Sequence, residues 1–149
     1  MKVGLIGLGF MGSTHLKALQ QIPGVELAAV ASDDPAALTG DLSGVVGNIG
    51  GPGEKYDFSA VRKYANFEDA VGDPDVEAVD LCLPTHLHAR AAISALRAGK
   101  HVLVEKPMAL TAAEAREMIG AAEEAGRILM TAQVLRFWPT YVALAECLR

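Results

Sequence analysis

Three glycines stand where a dinucleotide needs them: Gly7, Gly9 and Gly12, in the run G-L-G-F-M-G. An apolar run, Lys2 to Ile6, precedes them, and an amphipathic segment from about Met11 to Gln21 follows. The spacing and both flanks match a strand-turn-helix phosphate site. Gly7 permits the tight turn, Gly9 lets the backbone approach a pyrophosphate, and Gly12 lets helix and strand pack closely. The open N–H groups and positive end of the helix then face the phosphates. Phe10 and Met11, inside the turn, count among the expected cofactor contacts. A glycine-rich turn without a ligand is the alternative, and it requires neither flank.

Other chemistry-bearing residues follow strand-like runs, at the carboxyl ends where such folds bind ligands. Ser32, Asp33 and Asp34 follow the second run, with Asp33 21 positions past Gly12. An acid at that distance accepts from the ribose 2′-hydroxyl of NAD and repels a 2′-phosphate. NAD is therefore expected, with NADP still open because Ser32 is an alternative discriminating residue. Asp33 and Asp34 also read as turn and cap residues before Pro35. The run P-T-H-L-H supplies Pro84, Thr85, His86 and His88. Thr85 contacts cofactor or caps the next helix, and Leu83 and His88 are counted on the cofactor side. His86 and His88, two apart on a helix, do not share a face, so no metal pair is expected.

The run E-K-P places Glu105 and Lys106 past a fifth strand. A lysine there can donate to a substrate hydroxyl or carbonyl oxygen, and partial burial would tune it for acid–base work. Gln133 and Arg136 follow a sixth strand, beside Phe137, Trp138, Pro139 and Tyr141. Arg136 holds a polar substrate or forms an ordinary ion pair.

The elements needed to position these groups alternate strand and helix, which points to α/β: a doubly wound, mostly parallel sheet in three layers. Strands are expected at Lys2–Ile6, Glu26–Ala31, near Lys63–Ala65, Val76–Leu83, His101–Val104 and Ile128–Val134. Helices are expected at Met11–Gln21, Phe67–Val71, His86–Ala98 and from a T-x-x-E capping box at Thr111 and Glu114 to Gly126. Ala115, Met118, Ile119 and Ala122 share the apolar face of that last helix. From Asp33 to about Arg62 the pattern fails, and Gly40, Gly44, Gly47, Gly50, Gly51 and Gly53 suggest a mobile loop, whether functional or a plain insertion. The segment from Pro139 looks helical.

Composition narrows the class. The chain has 149 residues, 51% hydrophobic and 21% charged, which suits one domain with a sizeable core. A net charge of −5 without a basic block argues against nucleic acid or an anionic membrane as partner. No apolar run reaches the roughly 18 residues of a membrane span. Cys82 and Cys147 match no metal spacing; Cys82 reads as a buried thiol, and a reducing, cytoplasmic location is the default.

Four segments together resemble the N-terminal half of the Gfo/Idh/MocA oxidoreductase family: V-G-L-I-G-L-G-F-M-G, L-C-L-P-T-H-L-H-A, A-L-R-A-G-K-H-V-L-V-E-K-P and Q-V-L-R-F-W-P-T-Y. The resemblance covers nearly all of the chain outside the glycine-rich loop. It implies a Rossmann domain binding NAD or NADP, in an enzyme that moves a hydride between nicotinamide and a sugar, cyclitol or related alcohol. It implies that Lys106 orients substrate and assists proton transfer, that Pro84 and Thr85 line the cofactor site, and that Glu105 contacts the cofactor ribose. Gln133 and Arg136 would border the substrate. Family enzymes continue into a second domain, which supplies a D-x-x-x-H pair and most oligomer contacts. The expected organisation is thus a cofactor domain over residues 1–135, then the start of a connection over residues 136–149 to a substrate domain, with a homo-oligomer compatible. A stand-alone nucleotide- or partner-binding module, without catalysis, is the rival reading.

Overall fold

The computed structural model describes residues 1–47 and 53–148. Six strands form one sheet: β1 Lys2–Ile6, β2 Glu26–Ala31, β3 Arg62–Tyr64, β4 Ala78–Leu81, β5 His101–Val104 and β6 Leu129–Thr131. Their spatial order is β3-β2-β1-β4-β5-β6 and every pairing is parallel. Helices α1 Phe10–Leu19, α2 Phe67–Gly72, α3 Thr85–Arg97, α4 Ala112–Ala125 and α5 Pro139–Cys147 complete the chain. This is a Rossmann-type sheet, in which connections leave β1 and β4 in opposite directions and open a crevice above their carboxyl ends.

The two faces differ. On one, Ile6, Leu81 and Val104 pack with Ala91, Ala92, Ala95 and Leu96 of α3 and with Met118, Ala121 and Ala122 of α4. The many alanines let helix and sheet approach closely. On the other face Leu5 and Val30 pack under Leu16 of α1 and under Ala37, Leu42 and Phe58 from the connection between β2 and β3. Cross-strand partners Val30, Leu5, Asp80, Leu103 and Met130 form one row on this face. Cover runs out along the row: Val30 and Leu5 are fully buried, whereas Met130 is 46% exposed.

The glycine-rich connection departs from expectation. Over its described residues it is anchored by buried Leu42 and Phe58, a 3-10 turn at Ala37–Thr39 and an Asp41–Lys55 bridge, while Ser43, Gly44 and Val46 are exposed. Gly40, in the left-handed region at φ 91°, accepts at its carbonyl from the Tyr56 N–H and donates its own N–H to the Ala37 carbonyl. Gly50, Gly51 and Pro52 lie outside the described residues. Buried apolar side chains, not glycine count, decide the order here.

Helix α4 has the expected capping box between Thr111 and Glu114, and Gly126 ends it at φ 59°. Its buried face is corrected to Met118, Ala121 and Ala122, with Ile119 47% exposed. Strand β4 is shorter than expected, because Val76 and Leu83 belong to the flanking turns although both are apolar. Strand β6 likewise stops at Thr131, and Val134–Phe137 is a 3-10 turn. Helix α5 is exposed over its described length.

Candidate functional site

A cavity of about 1020 Å³ opens above the carboxyl ends of β1, β2, β3, β4 and β5. Its floor is the turn from β1 into α1. Gly7 holds φ 95°, and a Cβ there would strike the Cys82 carbonyl. A Cβ at Gly12 would strike the Gly7 carbonyl, so these two positions need glycine for the fold itself. Gly9 differs: its φ of −72° suits any residue, and a Cβ there meets no protein atom within 4 Å. The space that Gly9 leaves open faces the cavity. It adjoins the first N–H groups of α1, which have no partner within the helix and no side-chain cap. A backbone cradle kept clear of side chains at a helix N-terminus fits a pyrophosphate.

Ten of the residues expected at the cofactor line this cavity: Gly7, Gly9, Phe10, Met11, Ser32, Asp33, Leu83, Pro84, Glu105 and Lys106. Within the acidic turn the side chains divide their work. Ser32 Oγ accepts from the Asp34 N–H at 3.1 Å, and Asp34 Oδ1 accepts from the Ala36 N–H at 2.9 Å. Asp34 is thus the turn residue. The Asp33 carboxylate is exposed on the cavity side.

Three expectations come out differently, for Thr85, His88 and Lys106. Thr85 is the first residue of α3, with Pro84 before it and no side-chain cap bond, so it does not cap. His88 is buried, its ring nitrogens 2.8 Å from the Pro107 carbonyl and 2.7 Å from the Leu83 carbonyl, and it ties two site loops together from beneath. Lys106 is exposed at the cavity rim where partial burial was expected. Gln133 and Arg136 are exposed past β6 and lie outside the cavity lining.

Sequence reasoning also missed parts of the site. Ala65, Asn66 and Phe67, just past β3, line the cavity, as do Asp41, Leu42, Gly44 and Val45 of the glycine-rich connection. The β3 residues were findable, since they occupy the same carboxyl edge as the others. His15 was missed altogether. Its Nδ1 lies 3.0 and 2.9 Å from the two oxygens of Asp80, and its Nε2 lies 3.1 Å from Glu105 Oε1. Asp80 is 3% exposed and Glu105 6%. The signal was a polar residue on the α1 face that also buries Gly12 and Leu16.

The His15 pKa is raised, first by its hydrogen bond to Asp80 and further by the charges of Asp80 and Glu105, against the pull of burial. Cys82 Sγ lies 3.4 Å from His15 Nδ1. Burial, then the Asp80 and Glu105 charges, push this thiol far up, so it stays protonated. His15, Asp80 and Cys82 bring ligand-type atoms within 4.8 Å of one another. Both ring nitrogens are taken by carboxylates, however, and the sulfur keeps its proton, which is a hydrogen-bonded ion pair and not the chemistry of a metal centre.

Residues 1–133 match the family model of the Gfo/Idh/MocA oxidoreductases, described as an NAD-binding Rossmann fold. A 4-carboxy-2-hydroxymuconate-6-semialdehyde dehydrogenase from Sphingobium is 33% identical over 95% of this chain and 41% of its own length. An inositol 2-dehydrogenase from Salmonella typhimurium is 34% identical over 97% of this chain and 40% of its own length. Among solved structures, the WlbA dehydrogenase from Bordetella pertussis, in complex with NADH and UDP-GlcNAcA, superposes with a TM-score of 0.82 at 26% identity, covering 99% of this chain and 41% of that one. The chain therefore spans about 40% of the length of the curated relatives it matches. No helix among the described residues is long and apolar enough to cross a membrane.

Proposed function

The chain belongs to the Gfo/Idh/MocA oxidoreductase family, and from that membership we propose that it is the cofactor-binding half of an enzyme oxidising or reducing a sugar, cyclitol or related alcohol. One observation carries the reading: Glu105 and Lys106 stand on the wall of the same cavity whose floor is the glycine turn. NAD, when bound, supplies the acceptor or donor of a hydride.

The remaining work falls to side chains and backbone of this chain. The α1 amides and the clear space at Gly9 hold the pyrophosphate. Asp33 receives the ribose hydroxyls and disfavours a 2′-phosphate, so NAD is preferred over NADP. Glu105 faces the second ribose, its Oε2 accepting from the Lys106 N–H at 2.9 Å. Lys106, exposed at the rim, donates to the substrate oxygen and stabilises charge there as the alcohol gives up its proton. Positioning accounts for much of such a rate, so the domain by itself binds cofactor and turns over little. Residues 136–149 begin the connection to a substrate domain, and the exposed Arg136 and Gln133 lie on the side from which substrate would be approached. The two free thiols, Cys82 and Cys147, fit a reducing cytoplasm.

Lys106→Ala tests the assignment. In the full-length protein it should retain NAD affinity within about twofold and lose roughly a hundredfold or more of kcat, the range of a missing proton-handling group. Unchanged turnover would remove Lys106 from the reaction. A wild-type full-length protein that binds NAD but reduces it with no polyol or sugar would favour the non-catalytic module.

A further inference from the structure

We propose that His15 is a positioning residue for the cofactor cavity: as an imidazolium clamped between Asp80 and Glu105, it holds the Glu105 carboxylate in the orientation that also fixes the Lys106 backbone. The inference rests on the cofactor reading above.

The geometry requires the charge. Each ring nitrogen faces a carboxylate, Nδ1 at 2.9 Å and Nε2 at 3.1 Å. Ionised carboxylates only accept, so between two of them both nitrogens must donate, and only the doubly protonated ring does so. A neutral ring would turn a lone pair toward one of two buried anions. Asp80 stands in the cross-strand row of Val30 and Leu5, under the centre of α1, where an unpaired carboxylate is costly. The charged and titratable groups facing His15 are Asp80 on β4, Cys82 just past it and Glu105 just past β5. With the thiol neutral, the imidazolium is the positive charge between two negative ones.

The ring also joins the two sides of the cavity. His15 lies on α1, whose first turn is the phosphate cradle, and its other neighbours lie on the β4 and β5 edge that carries Lys106. Glu105 uses Oε1 for His15 and Oε2 for the Lys106 N–H, so both of its oxygens are fixed. Loss of the ring charge frees the Oε1 end, and the carboxylate then rotates or takes up a proton. Either change alters the cavity wall at which the cofactor ribose is placed.

The test is NAD affinity by calorimetry from about pH 6 to about pH 10, for wild type and His15→Gln, a range in which the NAD phosphates keep their charge. Glutamine retains a donor but cannot carry the charge. At pH 6 the variant should bind roughly tenfold to a hundredfold more weakly, the size of one charge-assisted hydrogen bond. That penalty should shrink toward one as the wild-type ring loses its proton. Equal affinity at pH 6, or a penalty independent of pH, overturns the inference alone. Absence of NAD binding by wild type at every pH overturns the cofactor reading and this inference with it. Should His15→Gln fail to fold, the imidazole 15N shifts of wild type decide. A ring doubly protonated at pH 7, whose titration midpoint coincides with that of NAD affinity, supports the proposal; a neutral ring at pH 7 overturns it.

Discussion

Gly9→Val separates ligand chemistry from folding at a single position. The backbone there is extended, φ −72° and ψ −163°, which valine adopts readily. A Cβ at Gly9 meets no protein atom within 4 Å, so the added side chain stands in open cavity. The stability cost is that of losing a tolerated glycine at a helix N-cap, about 1 kcal/mol or less, or roughly 3 °C in Tm for a chain of this size. The affinity cost is far larger. Valine fills the approach to the first α1 amides, and two charge-assisted bonds from such amides to phosphate contribute about 1.5–3 kcal/mol each. Their loss predicts roughly 10² to 10⁴ in Kd for NAD. Calorimetric titration beside a thermal melt measures both quantities on one sample. Gly12→Ala is the contrast: its Cβ would strike the Gly7 carbonyl, and overpacking of about 1–3 kcal/mol should lower Tm by several degrees despite alanine's better helix propensity. Near-normal NAD affinity in Gly9→Val would refute the pyrophosphate cradle. Collapse of its melt would show that the position is structural after all.

Two further outcomes are expected. His15 has a folded pKa raised above its ordinary 6.5, so its stabilisation is fully present below about pH 6.5 and fades as pH rises through the folded value. Denaturant titrations of wild type and His15→Gln should therefore differ most at about pH 6 and converge in alkali; a gap that widened with pH would contradict the ion pair. Asp33→Ser should leave the fold unchanged, since the side chain is exposed, and should narrow the preference for NAD over NADP by about tenfold or more through loss of one charge near the 2′ position. An unchanged ratio would move the discriminating role to Ser32.

The elements whose residues obey one rule at a time were legible. Strands β1, β2 and β5 are continuous apolar runs with sharp polar or glycine ends, and their bounds match at every residue. Thr111, Glu114 and Gly126 mark α4 because capping is local chemistry. Legibility failed where tertiary packing overrides local pattern. Ile119 fits the helical period of α4, yet it borders an open groove beside Met108 and Leu129 and is 47% exposed. Leu42 and Phe58, set among glycines, lack periodicity, yet between them they close a small core over β1 and β2. The glycine turn and the strand-end residues of the site follow from chain order and one topological rule. His15 does not, because its meaning lies in Asp80 and Glu105, 65 and 90 positions away. His15 and Asp80 are each ordinary in their own segments, and Glu105 stands out only as part of E-K-P.

The most direct test of the account is titration of this chain with NAD and NADP, each oxidised and reduced. Saturable binding of one nucleotide per chain is expected, with NAD favoured. Preference for NADP would keep the cavity and displace Asp33 from the ribose; binding of neither would contradict the cofactor domain.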